Sequence, residues 1–271
     1  MNKVFLSVFG LLILFSQCSN ENKQSIAKKA QSTSFVRKDT AEYLDSSKTD
    51  NYPLPKSAPL PVKKEVDVEE HIVDSTQIGE RGSFKLDISQ IRNQDDEVFV
   101  KFSLYQRTEV GWRLNQKKFI QKSNISNLGL IIYDYNNDGY KDIAYKVDAA
   151  ARGANDMRII WLFVPKTSKL TPIKNASIFP NLRYNKELDC LDSWAIYGGP
   201  STIFLKIEGD SLREFAGVDS FDGYRTTYTI NKSGKKRILK KEKIYEDAVY
   251  IRYSNYNPLK EYTSASDGSK E

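Results

Sequence analysis

The 271-residue chain carries 41 Lys and Arg against 35 Asp and Glu, with 39% hydrophobic residues, 12% aromatics, one His and two Cys. His71, Cys18 and Cys190 are too few for a zinc cluster, a disulfide framework, a Ser-His-Asp triad or a Cys-His dyad. Sixteen Tyr and thirteen Phe against two Met suit a pleated, half-buried surface better than a helical bundle, and the length fits one core of ordinary size with a tail.

Lys3 precedes an apolar run over residues 4–15, followed by Ser16-Gln17-Cys18-Ser19-Asn20. The run is too short for a permanent membrane helix and suits the core of a secretory signal over residues 1–17. A cysteine directly after such a run resembles the lipobox of bacterial lipoproteins, which implies cleavage before Cys18 and a diacylglycerol on its thiol. The triplet Phe15-Ser16-Gln17 departs from the usual Leu-Ala-Gly type, and the alternatives are an ordinary secreted protein or an uncleaved anchor. The expected location is therefore the bacterial outer membrane, on its periplasmic side or at the surface. Lipidation of Cys18 leaves Cys190 without a disulfide partner, and no histidine follows residue 71 to activate it, so Cys190 reads as a small buried hydrophobe. Loss of residues 1–17 removes one charge, Lys3, and the chain stays mildly basic. That balance suits contact with anionic envelope surfaces, while the compartment excludes nucleic acid as a partner.

Residues 18–79 read as a lipid-anchored, flexible tether, rich in Ser, Lys, Asp, Glu and Gln and holding Pro53, Pro55, Pro59 and Pro61. Such a composition cannot bury enough apolar area to offset the entropy of ordering. A coil of some sixty residues spans roughly 45 Å root-mean-square. His71, among Glu69 and Glu70, reads as a solvated linker residue rather than a metal ligand or pH sensor.

A β-domain is expected over residues 80–263, with a disordered tail at 264–271. From Gly82 onward the hydrophobic pattern takes period two, as in Phe84-Lys85-Leu86-Asp87-Ile88. Candidate strands are 84–88, 98–104, 112–114, 128–133, 143–147, 158–164, 193–197, 203–207, 224–230 and 248–253. Turn signals such as Asn136-Asn137-Asp138-Gly139, Gly198-Gly199-Pro200, Glu208-Gly209-Asp210 and Asn231-Lys232-Ser233-Gly234 separate them. No stretch between 82 and 262 keeps a helical period, so the expected fold is all-β, a small propeller-like domain or a sandwich.

One motif carries identifiable chemistry. Residues 134–142 read Asp-x-Asn-x-Asp-Gly-x-x-Asp, the oxygen-ligand spacing of an EF-hand-type calcium loop with glycine at its sharp turn. Asp134, Asn136, Asp138 and Asp142 would supply side chains and Tyr140 its carbonyl, making Ca2+ the expected cofactor. Tyr145 stands where an EF-hand has its bidentate glutamate, and the flanks read as strands. Strand-loop-strand calcium loops of this form occur in FG-GAP repeats and related propellers. A plain Asn-Asp-Gly hairpin is the competing reading, but it needs only two of these four oxygen side chains. Without the distal glutamate the affinity is expected between micromolar and millimolar.

This loop, followed by Ile160-Trp161-Leu162-Phe163 and Phe179-Pro180-Asn181-Leu182, resembles a family of exported bacterial proteins related to lysozyme inhibitors. The resemblance covers roughly residues 82–260 and implies a small β-propeller-like domain with one calcium loop at Asp134, Asn136, Asp138, Tyr140 and Asp142. Some members of that family block lysozymes; no inhibitory loop can be matched here. A basic chain would lose electrostatic steering toward a basic lysozyme, unless an acidic face such as Asp189 with Asp192, or Asp95-Asp96-Glu97, restores it.

Phe221-Asp222-Gly223-Tyr224 echoes the calcium core without its offsets and reads as a turn. Seven basic residues lie between 232 and 243, as expected of an exposed, charge-guarded edge strand, with binding to lipopolysaccharide or an acidic glycan as the functional alternative. No carboxylate pair sits in a local setting that would raise one pKa, so an enzyme is not expected. The expected function is a non-catalytic, calcium-binding envelope lipoprotein that recognises a protein or glycan partner, a lysozyme-like enzyme among them. A structural or adhesive surface protein is the alternative.

Overall fold

The computed structural model describes residues 67–123, 126–244 and 250–263. The signal segment, Cys18, the tether up to residue 66 and the tail at 264–271 lie outside the described residues. Within them the fold is all-β, built from antiparallel sheets of which none closes into a barrel, with two short 3-10 turns at Ala151–Gly153 and Ala176–Ile178. No helix among the described residues is long and apolar enough to cross a membrane.

Each sheet is a meander in which neighbours in sequence are neighbours in space. The first runs β1 (Asp67–Asp74), β2 (Phe84–Arg92), β3 (Val98–Thr108) and β4 (Gly111–Lys122). The second runs β5 (Ile131–Tyr133), β6 (Asp142–Ala150), β7 (Asn155–Val164) and β8 (Lys169–Pro172). The third has six strands: β9 (Arg183–Asn185), β10 (Cys190–Ile196), β11 (Pro200–Glu208), β12 (Ser211–Phe221), β13 (Tyr224–Ile230) and β14 (Lys236–Lys243). A short pair, β15 (Tyr253–Tyr256) with β16 (Leu259–Glu261), follows. Tight hairpins make this order possible. Asp222 and Gly223, at φ 53° and 73°, form the two-residue mirror-image turn that brings Phe221 opposite Tyr224.

The sheets pack in layers, and alternation along each strand decides which layer a residue serves. In β6 and β7, Ile143, Tyr145, Ile159 and Trp161 join Phe84, Leu86, Ile88, Phe102 and Leu104 of the first sheet in one core. The intervening Ala144 and Ile160 join Ile178, Phe179, Leu191, Ile203 and Leu205 in a second core against the third sheet. The second sheet is thus buried on both faces, and edge-on aromatic pairs, Phe84 with Phe163 and Phe102 with Trp161, key it to the first. Asn155 ties it to the third: its Nδ2 donates to the Ile196 carbonyl at 3.0 Å and its Oδ1 accepts the Ile196 N–H at 2.9 Å.

The third sheet's far face, with Cys190, Phe204, Ala216 and Val218, is covered by Tyr253 and its neighbours. That C-terminal segment is held by long-range bonds: Tyr253 N–H to Thr202 Oγ1 at 3.1 Å, Asn185 Nδ2 to the Ser254 carbonyl at 2.9 Å and Trp194 Nε1 to the Ile251 carbonyl at 3.2 Å. Arg252 reaches the fully buried Asp192, donating from Nε to Oδ1 at 2.5 Å, and the Tyr262 hydroxyl donates to Asp192 Oδ2.

Ordered structure starts earlier than the expected boundary at residue 80. β1 pairs with β2, placing His71 opposite Ser89 and Asp74 opposite Leu86, so residues 67–79 belong to the domain rather than to a tether. Its acidic residues have distant partners. Glu69 accepts from Gln90 Nε2 at 2.7 Å and Arg92 Nε at 2.6 Å, and Glu70 accepts the Leu128 N–H at 2.8 Å. His71 is no linker residue, since its Nε2 lies 3.0 Å from Asp87 Oδ1 on the neighbouring strand.

Candidate metal site

The loop between β5 and β6 holds four of the five expected ligands, with the fifth, Asp142, at the first position of β6, and its backbone is shaped by them. Asn137 and Gly139, with φ of 58° and 89°, supply the two left-handed residues that a tight, inward-curling loop requires. Asp134 fixes the curl by accepting the Asp138 N–H at 3.2 Å on Oδ1 and the Gly139 N–H at 3.0 Å on Oδ2. Asn136 Oδ1 accepts the same Asp138 N–H at 3.3 Å and its Nδ2 donates to Asp138 Oδ2 at 2.9 Å. Asp138 Oδ1 in turn accepts the Tyr140 N–H at 2.9 Å. Position 1 bonded to the amides of positions 5 and 6, and position 5 to that of position 7, is more than a two-residue hairpin turn needs.

Asp142 is placed differently. It is fully buried, with Oδ2 accepting the Tyr135 N–H and Oδ1 the Phe163 N–H, both at 2.8 Å. It therefore braces the start of β6 against the loop at Tyr135 and against β7 at Phe163. Burial pushes its carboxyl up to about 7 against these two bonds, with Asp138 and Asp134 adding like-charge repulsion. The three carboxylates thus share one electrostatic field.

Among the described residues, no three His, Cys, Asp or Glu side chains gather into a ready metal cluster. What the loop offers is a hard oxygen set: Asp134, Asn136 and Asp138, which keep some exposure, and the carbonyl of Tyr140. Oxygens that accept one N–H retain a lone pair for a cation, and an all-oxygen set suits Ca2+ rather than zinc.

Sequence reading could not find what surrounds the loop. Lys141 and Gly79 exchange main-chain bonds, Gly79 N–H to the Lys141 carbonyl at 2.9 Å and Lys141 N–H to the Gly79 carbonyl at 3.4 Å, so the loop is stitched to the β1–β2 connection. Gly79 is required there: at φ 57° its absent Cβ would stand 2.8 Å from the Phe163 ring, which also packs on Tyr140. On the other side Tyr133 carries the Lys141 ammonium 5.7 Å from its ring centre. Burial raises the Tyr133 phenol, Asp134 adds to the rise and Arg183 opposes it.

The remaining sequence candidates separate cleanly. Asp192 offers no acidic face, being fully buried on Arg252, and Asp189 accepts the Tyr184 hydroxyl at 2.6 Å. Asp95, Asp96 and Glu97 form the exposed β2–β3 turn, organised by Asn93 Oδ1 accepting the Asp95 and Glu97 N–H groups. Cys190 is buried, and burial pushes its thiol up to about 12. The basic run forms β14, exposed along nearly its whole length at the edge of the third sheet.

No family model matches the chain and no curated protein matches it. Among solved structures, one described as that of a Xanthomonas type IV secretion system related protein is similar over 68% of this chain and 98% of that one. Its sequence is 8% identical and the TM-score is 0.43, a likeness too slight to bear on function.

Proposed function

We propose that this chain is a non-catalytic, lipid-anchored envelope protein whose β-domain binds one Ca2+ in the 134–142 loop and recognises a protein or glycan partner. The observation that carries the calcium reading is the internal hydrogen-bond pattern of the loop, in which Asp134 organises the amides of Asp138 and Gly139. Its place supports a structural role for the ion. The loop joins β5 to β6 and is bonded to Gly79, so a cation there would hold the seam between the first and second sheets. Asp134, Asn136, Asp138, the Tyr140 carbonyl and Asp142 would hold the ion, and Asp142 would also fix the start of β6. The lipid-anchor reading rests on Cys18 after the apolar run.

The test is a thermal melt of residues 18–271 carrying Cys18→Ser, with calcium and with chelator, for the parent and for Asp134→Ala with Asp138→Ala. Calcium at a hundred times its dissociation constant adds about 2.7 kcal/mol, roughly 5 to 10 °C for a domain of this size. A shift confined to the parent establishes the site; no shift in either reduces the loop to a hairpin turn. Metabolic labelling with a fatty-acid analogue, lost on Cys18→Ser, tests the anchor. Stoichiometric loss of lysozyme activity would identify an inhibitor, whereas retention on cell-wall material without inhibition identifies the structural or adhesive alternative.

A further inference from the structure

We infer that the β13–β14 hairpin is a docking surface for the phosphate-bearing face of an anionic bilayer. Register assigns its side chains to two faces. Tyr224 lies opposite Lys243, Thr226 opposite Lys241, Tyr228 opposite Ile238 and Ile230 opposite Lys236, and alternation puts all eight on one face. That face shows Tyr224 and Ile238 at 41% and 51% exposure among three lysines, with Leu239 at the adjoining bulge 37% exposed. Lys241 rests 4.5 Å from the Tyr224 ring centre and Lys236 3.3 Å from that of Tyr228, which is buried with its hydroxyl on Glu214, and Lys236 also reaches Asp219 at 3.5 Å. The opposite face carries Arg225, Arg237 and Lys240 against Glu242, which pairs with Arg225 at 2.9 Å and Lys240 at 2.6 Å, so the hairpin is cationic on both faces and the exposed apolar side chains mark the first.

The excess of cations repels a second copy of the hairpin and attracts anions. A soluble polyanion would need only the charges. Exposed Tyr, Ile and Leu between lysines suit a layered partner with phosphates above hydrocarbon, where amphipathic side chains lower their apolar parts and keep their charges at the surface. Beside a lipid on Cys18 the hairpin would be the second of the two signals that stable anchoring takes. Its cellular role rests on the anchor reading above; the contact itself does not.

The test uses unlipidated residues 18–271 carrying Cys18→Ser, which keep every described residue, in flotation with vesicles of phosphatidylcholine alone or mixed with phosphatidylglycerol. Binding is expected only to the mixed vesicles and to weaken with salt. Lys236→Gln with Lys241→Gln and Lys243→Gln should weaken it by roughly a hundredfold, and Ile238→Ser should weaken it further. Lys101→Gln with Lys117→Gln and Lys118→Gln, an equal charge loss on exposed positions of the first sheet, should change it far less. Melts of each variant identify any that fail to fold, and single Lys243→Gln, at the strand end, keeps the test open if the triple variant does. Equal losses from both triple variants, indifference to Ile238→Ser, or equally tight binding to a soluble polyanion would overturn the inference. Because the sample carries no lipid, failure here leaves the anchor reading untouched, and failure of fatty-acid labelling leaves this one.

Discussion

Asp192→Ala is expected to be among the most damaging single substitutions in the domain. The carboxylate is fully buried, and Arg252 donates to it from Nε at 2.5 Å and from its guanidinium terminus. The Tyr262 hydroxyl donates to Oδ2, and Arg183 Nε stands 3.8 Å from Oδ1 while its guanidinium stacks 3.5 Å from the Tyr262 ring centre. Removing Asp192 leaves Arg252 largely buried with only the main-chain carbonyls of Asn181 and Asp192, at 2.7 and 3.0 Å, and no counter-charge. Breaking a buried pair in this way costs about 3–5 kcal/mol. For a domain of this size that lowers Tm by roughly 6 to 20 °C. Urea unfolding of Asp192→Ala, Arg252→Met and the double variant measures the loss and the coupling. The double variant should recover part of it, because no uncompensated charge remains. A loss below about 1 kcal/mol, or strictly additive single effects, would refute the view that this cluster holds the C-terminal segment.

Other expectations follow from single contacts. Gly217→Ala would place a Cβ 2.3 Å from the Tyr228 hydroxyl, where it donates to buried Glu214 at 2.8 Å, and should lower the urea midpoint by about 1–3 kcal/mol equivalent. Asp142→Ala leaves two buried amides unpaired, each worth about 1–3 kcal/mol, and should destabilise the chelator-treated protein as well as the calcium-loaded one. Glu69 is held below its ordinary value of 4.5 by the Gln90 bond and by Arg92. Its contribution is therefore complete above that value and lost as pH falls through the lower folded one. Glu69→Gln should flatten that acid limb in a pH series of melts. Cys190, buried and protonated, should resist a disulfide reagent at mildly alkaline pH until the domain unfolds, and fast labelling of the native protein would contradict its burial.

Period two revealed β2 and β3, whose inward positions are apolar, whereas β6, β7 and β11, apolar on both faces, and β13 were legible as short runs between turn signals. β1 escaped because its acids stay soluble-looking in sequence, and their partners, Gln90, Arg92 and the Leu128 amide, lie at least twenty residues away. β12 escaped for a related reason: Glu214 occupies one of its inward positions and Gly217 interrupts its packing surface, both in service of Tyr228. In the 134–142 loop, spacing set the curl, since Asp134, Asn136 and Asp138 bond to amides within five residues. The full burial of Asp142 was not legible, because one of its donors is Phe163 on another strand. The expected start of the domain at residue 80 failed on the same ground.

The segment 250–263 has a consequence for the order in which the molecule can be completed. It supplies Tyr253 to the last core and Arg252 and Tyr262 to Asp192, yet it follows in sequence every strand of the sheet it covers. A polypeptide that emerges N-terminus first can assemble its first two cores while Phe204 and Val218 still lie bare. The most vulnerable moment for such a chain is then the interval before residues 250–263 arrive, when proteases and chaperones compete for a face awaiting its cover. A premature stop ahead of Tyr253 would yield not a shortened domain but a sticky one.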